Sequence, residues 1–470
     1  MKKLKNQSGD AVMQMSVPRL AWPIFVQCIL AMCLGYIDTV MLSNYNSGAN
    51  TTNVAVGAVG NANQILGFLA LAFTIISSAT GIIISQYLGA GKKKDIDKVY
   101  TVSIAFNLVL SVIISAIVFL FSNALLNFMN VPAEMMTDAE DYMKIVGGFI
   151  FTQAVFDAFG QIFRSNGKTT AGMFMALSMN ILNIIGNFCF LYGPLSFLNL
   201  GVKGVAISTS FSRIVVLVIA IIYFAVAIDG GISIKCLKPF PTDILKKLLR
   251  LGIPTAGENI SYNISQIVIS IIVNSMGTVE INTRIYASML CNFGYMYSFS
   301  MAMATQILVG HSVGAGDYNF AYKRVMKTMK TAIVISVAIA TLNYLLSPYT
   351  FSLFVPVTDP NHSQIIALGS QVMLVAIFLE MGRSTNLVVI NSMKAAGDVK
   401  FPTMLGIVSM WGVSALFAFI LGICLGWGLV GVWIAMATDE ILRGVVVFAR
   451  WIKGTWRGKS VVSKEELQPE

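Results

Sequence analysis

Charge is scarce in this chain, and the scarcity decides its class. Only 11% of the 470 residues are Asp, Glu, Lys or Arg, against about 25% in a typical soluble domain. Hydrophobic residues make up 56% and mean hydropathy is +0.75, which excludes an ordinary soluble protein. Histidine is nearly missing: His311 and His362 are the only two, so no metal site is expected. The six cysteines (Cys28, Cys33, Cys189, Cys236, Cys291, Cys424) show no paired spacing and read as small buried apolar residues. No cleavable leader is expected, because Met1–Gln14 is polar and basic and the first apolar run continues at spanning length. The run Gly89-Ala-Gly-Lys-Lys-Lys lacks phosphate-loop spacing and follows an apolar segment rather than a strand. No catalytic constellation or nucleotide-binding domain is visible, so the chain is expected not to be an enzyme and to carry no cofactor.

What is present is a succession of apolar runs. A membrane helix needs about 20 mostly apolar residues. Twelve runs meet that length: 17–43, 56–87, 99–121, 138–163, 171–193, 201–227, 250–276, 284–311, 329–347, 364–392, 403–424 and 428–451. With an even number of spans both termini share one side. Placing them in the cytoplasm puts 26 of the 32 basic residues on inner segments, as the positive-inside rule requires. These include Lys2, Lys3, Lys5, Arg19, Lys92, Lys93, Lys94, Lys98, Lys168, Lys323, Arg324, Lys453 and Lys464. Outer loops such as 45–55, 122–137, 277–283 and 348–363 hold acids or no charge. The net charge of +10 therefore belongs to membrane topology and not to nucleic acid.

The two halves repeat. Pro23 matches Pro254, Gly89-Ala-Gly91 matches Gly314-Ala-Gly316, Arg164-x-x-Gly167 matches Lys394-x-x-Gly397, and Gly201-x-x-Gly204 matches Gly428-x-x-Gly431, all at separations of 225 to 231 residues. The separation covers six spans, so both halves have the same orientation, an arrangement suited to alternating access. The expected organisation is an N-terminal six-helix lobe at 1–228, a cytoplasmic linker at 229–249 containing Pro239 and Pro241, and a C-terminal lobe at 250–470.

Polar residues inside the spans carry the functional reading. Asp38 lies in an otherwise apolar first span, where a charge costs about 2.5–3.5 kcal/mol on insertion scales. Gln27, Ala31, Leu34 and Asp38 share a stripe. Asp38 reads as a carboxylate that takes a proton or a cation, or as a structural hydrogen-bonding group. Asn180, Asn183 and Asn187 form one face of the fifth span and either ligate a cation or join helices. In the seventh span Glu258 and Tyr262 are one turn apart, with Asn259, Asn263, Gln266 and Ser270 on an adjacent stripe. Glu258 is either a second titrating site or an ion-pair partner, and Pro254 is a point where the helix can bend. Glu380 and Arg383 are spaced to neutralise each other. Arg213 and Arg443 have Asp157, Asp439 and Glu440 as candidate partners. Met289, Met296, Met301 and Met303 with Tyr286, Tyr295 and Tyr297 form an adaptable wall, suited to flat cations or to lipid.

These residues together resemble the multidrug and toxic compound extrusion (MATE) transporters. The resemblance rests on Pro23 through Ile37-Asp38-Thr39-Val40-Met41, Gln86-Tyr-Leu-Gly89-Ala-Gly91, Arg164-Ser-Asn-Gly167, Gly252-Ile-Pro254, Gly314-Ala-Gly316, Glu380-Met-Gly-Arg383 and Gly397-Asp398, and covers essentially the whole chain. It implies an all-α membrane protein, twelve transmembrane helices in two pseudo-symmetric six-helix bundles. It also implies export of organic compounds, often cationic, driven by inward H⁺ or Na⁺. Asp38 stands where the family has its first-helix acid, and Asn183 resembles the fifth-helix asparagine of the N-lobe cation site. Position 187, often aspartate in that pattern, is Asn here and removes one carboxylate. Glu258 follows Pro254 too closely to equal the seventh-helix glutamate of some branches, which falls nearer Ile264.

The expected function is an H⁺- or Na⁺-coupled antiporter for amphipathic cationic compounds in the cytoplasmic membrane. Its coupling residues are Asp38, Asn180, Asn183 and Asn187. A substrate or second polar site comprises Gln27, Glu258, Asn259, Tyr262, Gln266, Glu380 and Arg383. The chain is expected to be monomeric, with a small organic substrate and membrane lipid as partners. The alternatives are a flippase for a lipid-linked precursor and a non-transporting receptor or scaffold.

Overall fold

The computed structural model describes residues 9–45 and 51–462. Lys2, Lys3, Lys5 and Lys464, part of the 45–55 loop, and the side chains of Lys93 and Lys94 lie outside the described residues. Each of the twelve apolar runs folds as a helix, and among the described residues there is no β-strand. The chain enters through a short turn of helix, Gly9–Met13. The helices are α1 (Val17–Ser43), α2 (Thr51–Ala70 and Thr74–Gly89, joined by a tight turn at Leu71–Phe73) and α3 (Lys93–Phe128). Next come α4 (Ala133–Tyr142, Met143–Gly147 and Ile150–Ser165), α5 (Thr169–Leu191) and α6 (Val202–Ala227). The second set is α7 (Thr242–Asn274), α8 (Thr278–Gly314), α9 (Tyr318–Phe354), α10 (His362–Ala395), α11 (Lys400–Ser409 through Ile420–Cys424) and α12 (Gly428–Ile452).

Eight of these helices are by themselves long and apolar enough to cross a membrane, and α4 makes nine when its two parts, bent by 43°, are taken as one span. The other three, α7, α8 and α12, carry many polar side chains, and α12 holds Asp439, Glu440 and Arg443. Those charges are neutralised inside the protein, as shown below, so composition alone understates these spans. Outward faces are apolar, with Val109 60% and Leu120 71% exposed on α3 and Ile185 54% exposed on α5. This is the surface a lipid environment covers. Of the six cysteines Cys424 is exposed, the other five are half-buried, and no disulfide joins them. They are therefore not the fully buried residues the sequence suggested: Cys236 lies in the connection after α6, and Cys291 packs at the edge of the second unit's core.

Pro23 lies inside α1 and Pro254 inside α7, and both helices continue through them. A transmembrane helix tolerates the lost backbone hydrogen bond where neighbours satisfy the freed carbonyl. The connection after α6 forms a tight turn at Ile234–Leu237. It is tied to α3 by Gly231 N–H donating to Asp97 Oδ1 at 2.8 Å and Ser233 N–H to Thr101 Oγ1 at 3.1 Å. α7 begins at Thr242, so 242–249 is helical.

The chain forms two compact units. One is Val26–Gly252 with the segment ending at Val12; the other is Ile253 to the C-terminus with Met13–Phe25, which includes the start of α1. The core of the first is built on Leu42, Ala58, Val59, Ala62, Leu66, Val118, Tyr142, Met143, Val205 and Ala206. That of the second is built on Ile269, Val273, Ala287, Phe351, Val372, Met373, Leu379, Leu429 and Trp433.

The two units end their helices the same way. After α2, Gly91 (φ +72°) donates to Leu88 O at 3.2 Å and Lys92 N to Tyr87 O at 3.0 Å. After α8, Gly316 (φ +77°) donates to Val313 O at 3.1 Å and Asp317 N to Ser312 O at 2.9 Å. After α4 and α10, Lys168 N reaches Phe163 O at 2.8 Å and Asp398 N reaches Met393 O at 2.9 Å, around Gly167 (φ +72°) and Gly397 (φ +92°). Each is a six-to-one C-terminal cap, and the left-handed residue it needs is glycine because a Cβ is strained there.

Candidate functional site

In the first unit, close approach of α5 to α6 builds the site around Asp38. A Cβ on Gly186 would collide with Ser208 Oγ, so only glycine lets the two helices meet here. Ser208 Oγ then donates to Asn183 O at 2.9 Å, which fixes the register. That register brings Asn183 and Asn187 of α5 beside Thr209 of α6. Asn183 Nδ2 donates to Thr209 Oγ1 at 3.1 Å, and Asn187 Nδ2 to Asn183 Oδ1 at 3.3 Å. Asp38 on α1 closes the ring, accepting from Asn187 Nδ2 at 2.6 Å and from Thr209 Oγ1 at 3.2 Å.

Asp38 is 2% exposed. Among the described residues no Lys or Arg nitrogen lies within 4.0 Å of it; Arg213, one turn beyond Thr209, acts on it from a longer distance. Tyr142 of α4 is within hydrogen-bonding reach of Thr209 and Asn63 and acts on the same carboxylate. A carboxylate held by amide and hydroxyl donors alone keeps its charge solvated without a fixed countercharge. Two amide oxygens of α5, Asn187 Oδ1 and Asn180 Oδ1, are buried without a partner. Asn180 does not reach Asp38; its Nδ2 turns back to Ala176 O at 2.9 Å.

Gln27 belongs to a different cluster from Asp38. The two are eleven residues apart on α1, about 16 Å along the axis. Gln27 Oε1 accepts from Arg164 Nη1 at 3.2 Å, and Gly172 leaves room for its amide. Asp157, also on α4, accepts from Gln153 Nε2 at 3.0 Å.

In the second unit the buried charges are paired directly. A Cβ at Gly382 of α10 would lie 2.6 Å from Ile441 N of α12, so glycine permits the approach. It brings Glu380, Arg383 and Asn386 against Asp439, Glu440 and Arg443. Arg383 Nη1 meets Glu380 Oε1 at 2.6 Å, and Arg443 Nη2 meets Asp439 Oδ2 at 2.7 Å and Glu440 Oε1 at 3.1 Å. Asn386 Nδ2 donates to Glu440 Oε2 at 2.7 Å, and Ser409 of α11 caps Asp439. Tyr262 and Gln266 of α7 line a small pocket with Arg383, Glu440 and Arg443. Met410 and Ser414 complete it from a widened helical turn of α11, Met410–Ala415, and widened turns of this kind recur at functional sites.

Glu258 stands apart from this pocket, paired with Lys394 Nζ at 2.8 Å and accepting from Thr403 Oγ1 at 3.1 Å. Asn259 is half-buried, and its carbonyl accepts from Asn263 Nδ2 at 2.8 Å. Tyr286 stacks on Phe354 with centroids 5.1 Å apart, so this part of the Met- and Tyr-rich wall is packed within the protein. Thr209 was not among the residues picked out from the sequence, although Ser208, Thr209, Ser212 and Arg213 repeat at helical spacing and mark that face of α6.

The MatE family profile matches this chain twice, over residues 23–189 and 254–420, two stretches offset by 231 residues at both ends. An uncharacterized transporter of Bacillus subtilis, YisQ, is 39% identical over 94% of this chain and 95% of its own length. A probable multidrug resistance protein NorM of Thermotoga maritima is 24% identical over 96% of this chain and 94% of its own. A crystal structure of MATE in the bent conformation superposes with a TM-score of 0.86 at 20% identity, covering 96% of this chain and 98% of that one. The repeated profile, the twelve helices and the near-complete coverage lead to one assignment: the chain belongs to the MatE family of multi-pass membrane transporters.

Proposed function

We propose that this protein is an H⁺- or Na⁺-coupled antiporter that exports amphipathic cationic compounds by alternating access, with Asp38 as its coupling residue. The observation that carries the reading is that Asp38 is buried and held by amide and hydroxyl groups, Asn187 and Thr209 among them, with no ion pair among the described residues. Such a carboxylate can accept a proton or a cation without first breaking a salt bridge. An ionised Asp38 accepts from Asn187 Nδ2. A protonated Asp38 becomes a donor and suits Asn187 Oδ1, which has no partner. A bound cation would draw on the same amide oxygen. Either event rearranges the α1–α5–α6 contact, and that rearrangement is the step coupled to substrate release.

The multidrug resistance name of the NorM relatives supports a broad organic substrate range. The basic residues between spans support insertion in the cytoplasmic membrane with both termini inside. The reading further takes the protein as a monomer whose partners are the substrate and membrane lipid. The test is counterflow and gradient-driven uptake of a cationic dye in proteoliposomes, with pH and Na⁺ gradients imposed separately. One gradient is expected to drive uptake in the wild type, and Asp38→Asn to lose it. Equal driven uptake in Asp38→Asn and wild type would overturn the assignment.

A further inference from the structure

Three acids and two arginines meet in the second unit, and their contacts form one chain. Arg383 joins Glu380 Oε1 at 2.6 Å and approaches Glu440 Oε1 at 3.9 Å. Arg443 joins the same Glu440 oxygen at 3.1 Å and Asp439 Oδ2 at 2.7 Å. Both guanidinium groups keep their protons at any physiological pH. With all three carboxyls ionised, the cluster carries one negative charge more than its arginines balance. It does so away from water, since Glu380 is 2% exposed, Asp439 3% and Arg443 5%. A buried excess charge is costly, and neutralisation by a proton or a cation relieves it.

The hydrogen bonds single out one oxygen for that proton. Glu440 Oε1 meets Arg443, and its Oε2 accepts from Asn386 Nδ2 at 2.7 Å. Asp439 Oδ2 meets Arg443, and its Oδ1 accepts from Ser409 Oγ. Glu380 Oε1 meets Arg383, but Glu380 Oε2 is buried with no partner. That oxygen lies against α8 at Gly294, where a Cβ would be 3.4 Å from it. Glu380 also lines a cavity between α8, α9 and α10, together with Cys291, Asn343 and Met373. The cavity has no room for a water molecule, so a hydrated cation does not fit where a proton does. A protonated Oε2 is a donor, and the Asn343 amide oxygen and the Cys291 sulfur border the same space as acceptors.

The neighbouring helices do not balance the count. α7 brings Tyr262, which lines the adjoining pocket with Arg383, and Glu258, whose charge Lys394 takes at 2.8 Å. α8 brings Cys291 and Tyr295, the ring of Tyr295 lying 5.8 Å from the Arg383 guanidinium. α9 lines the cavity with Ile339, Ala340 and Asn343, and α11 meets Asp439 through the Ser409 hydroxyl. None of these supplies a third positive charge to the cluster.

We propose that the cluster binds one exchangeable proton and that Glu380 Oε2 carries it, so that the second unit holds a proton site of its own besides Asp38. Uptake forms one O–H bond at Oε2, takes the proton from the aqueous phase, and leaves both arginines charged. The titration belongs to the five groups as a unit, although the proton resides on one oxygen.

The test uses the purified full chain in lipid, carrying Asp38→Asn so that Asp38 contributes no signal, and reads the infrared C=O stretch of protonated carboxyl groups against pH. Glu380→Gln is expected to remove a band present at neutral pH. Glu440→Gln removes the excess negative charge and is expected to move the midpoint of that band down by about one pH unit or more. If Glu380→Gln fails to fold, Glu380→Asp serves in its place, since the shorter acid displaces its own band in frequency; Asp439→Asn likewise stands in for Glu440→Gln. The proposal is overturned if replacing Glu380 neither removes nor displaces a band, or if the midpoint stays in place when the excess acid is removed. The measurement needs no transport, so an absence of dye flux would strike the antiport reading and leave this result standing.

Discussion

Asn187 Nδ2 lies 2.6 Å from Asp38 Oδ1, while the other end of the same amide, Oδ1, is buried with no partner. The side chain therefore faces the carboxylate with its donor and keeps an acceptor in reserve, and it is the shortest link between α5 and α1. A hydrogen bond to a charged group contributes about 1.5–3 kcal/mol. Asn187→Leu is expected to reduce gradient-driven dye uptake about tenfold or more, with dye counterflow reduced less. Unchanged driven uptake would mean the amide is a bystander.

Gly186 tests whether the helix approach makes the site. Gly186→Ala forces a Cβ into Ser208 Oγ and is expected to depress both melting temperature and transport. Adding Ser208→Gly vacates the space, at the loss of the bond to Asn183 O, and should recover most of the thermal stability. A single variant as stable as wild type would show that α5 and α6 can part at no cost.

The Glu258–Lys394 pair predicts a different pattern. Both side chains are nearly buried and the pair is closed at 2.8 Å, so removing one partner strands a charge, at a cost of about 3–5 kcal/mol. Lys394→Met is expected to melt well below wild type, and Glu258→Gln with Lys394→Met close to it. If the double variant were no more stable than the single one, the pair would not be the source of the loss.

Asp398 fastens the segment that follows α12. It is 3% exposed and accepts from Arg450 Nε at 2.9 Å and Lys459 Nζ at 2.6 Å. A Cβ on Gly397 would run into Lys459 O, so the loop before α11 and the segment around Lys459 touch backbone to backbone. Trp451 and Trp456 stack there with centroids 4.1 Å apart. Asp398→Ala is expected to expose the 453–462 segment, read as faster amide exchange there, and to destabilise the second unit by about 2–4 kcal/mol.

Much of the fold was legible because membrane spans announce themselves by length and apolarity, and because Gly91, Gly167, Gly316 and Gly397 mark helix ends. One pair within a helix, Glu380 with Arg383, was legible too, whereas Arg443 had several candidate partners and the structure gives it Asp439 and Glu440. The 43° bend in α4 was not, since nothing in the local apolar pattern distinguishes a bent span from a straight one. Glu258 with Lys394 was not either, because partners from distant spans leave no periodic trace. Thr209 was missed because a lone hydroxyl in an apolar helix usually bonds its own backbone, as Thr209 also does to Val205 O at 2.9 Å.

The duplicated helix caps have an evolutionary consequence. Halves that keep the same turns need not keep the same interior chemistry. One unit holds its buried Asp38 with amide and hydroxyl donors, while the other pairs Glu258, Glu380 and Asp439 with Lys394, Arg383 and Arg443. A repeated scaffold can thus keep its turns at Gly91, Gly167, Gly316 and Gly397 while the side chains between them diverge.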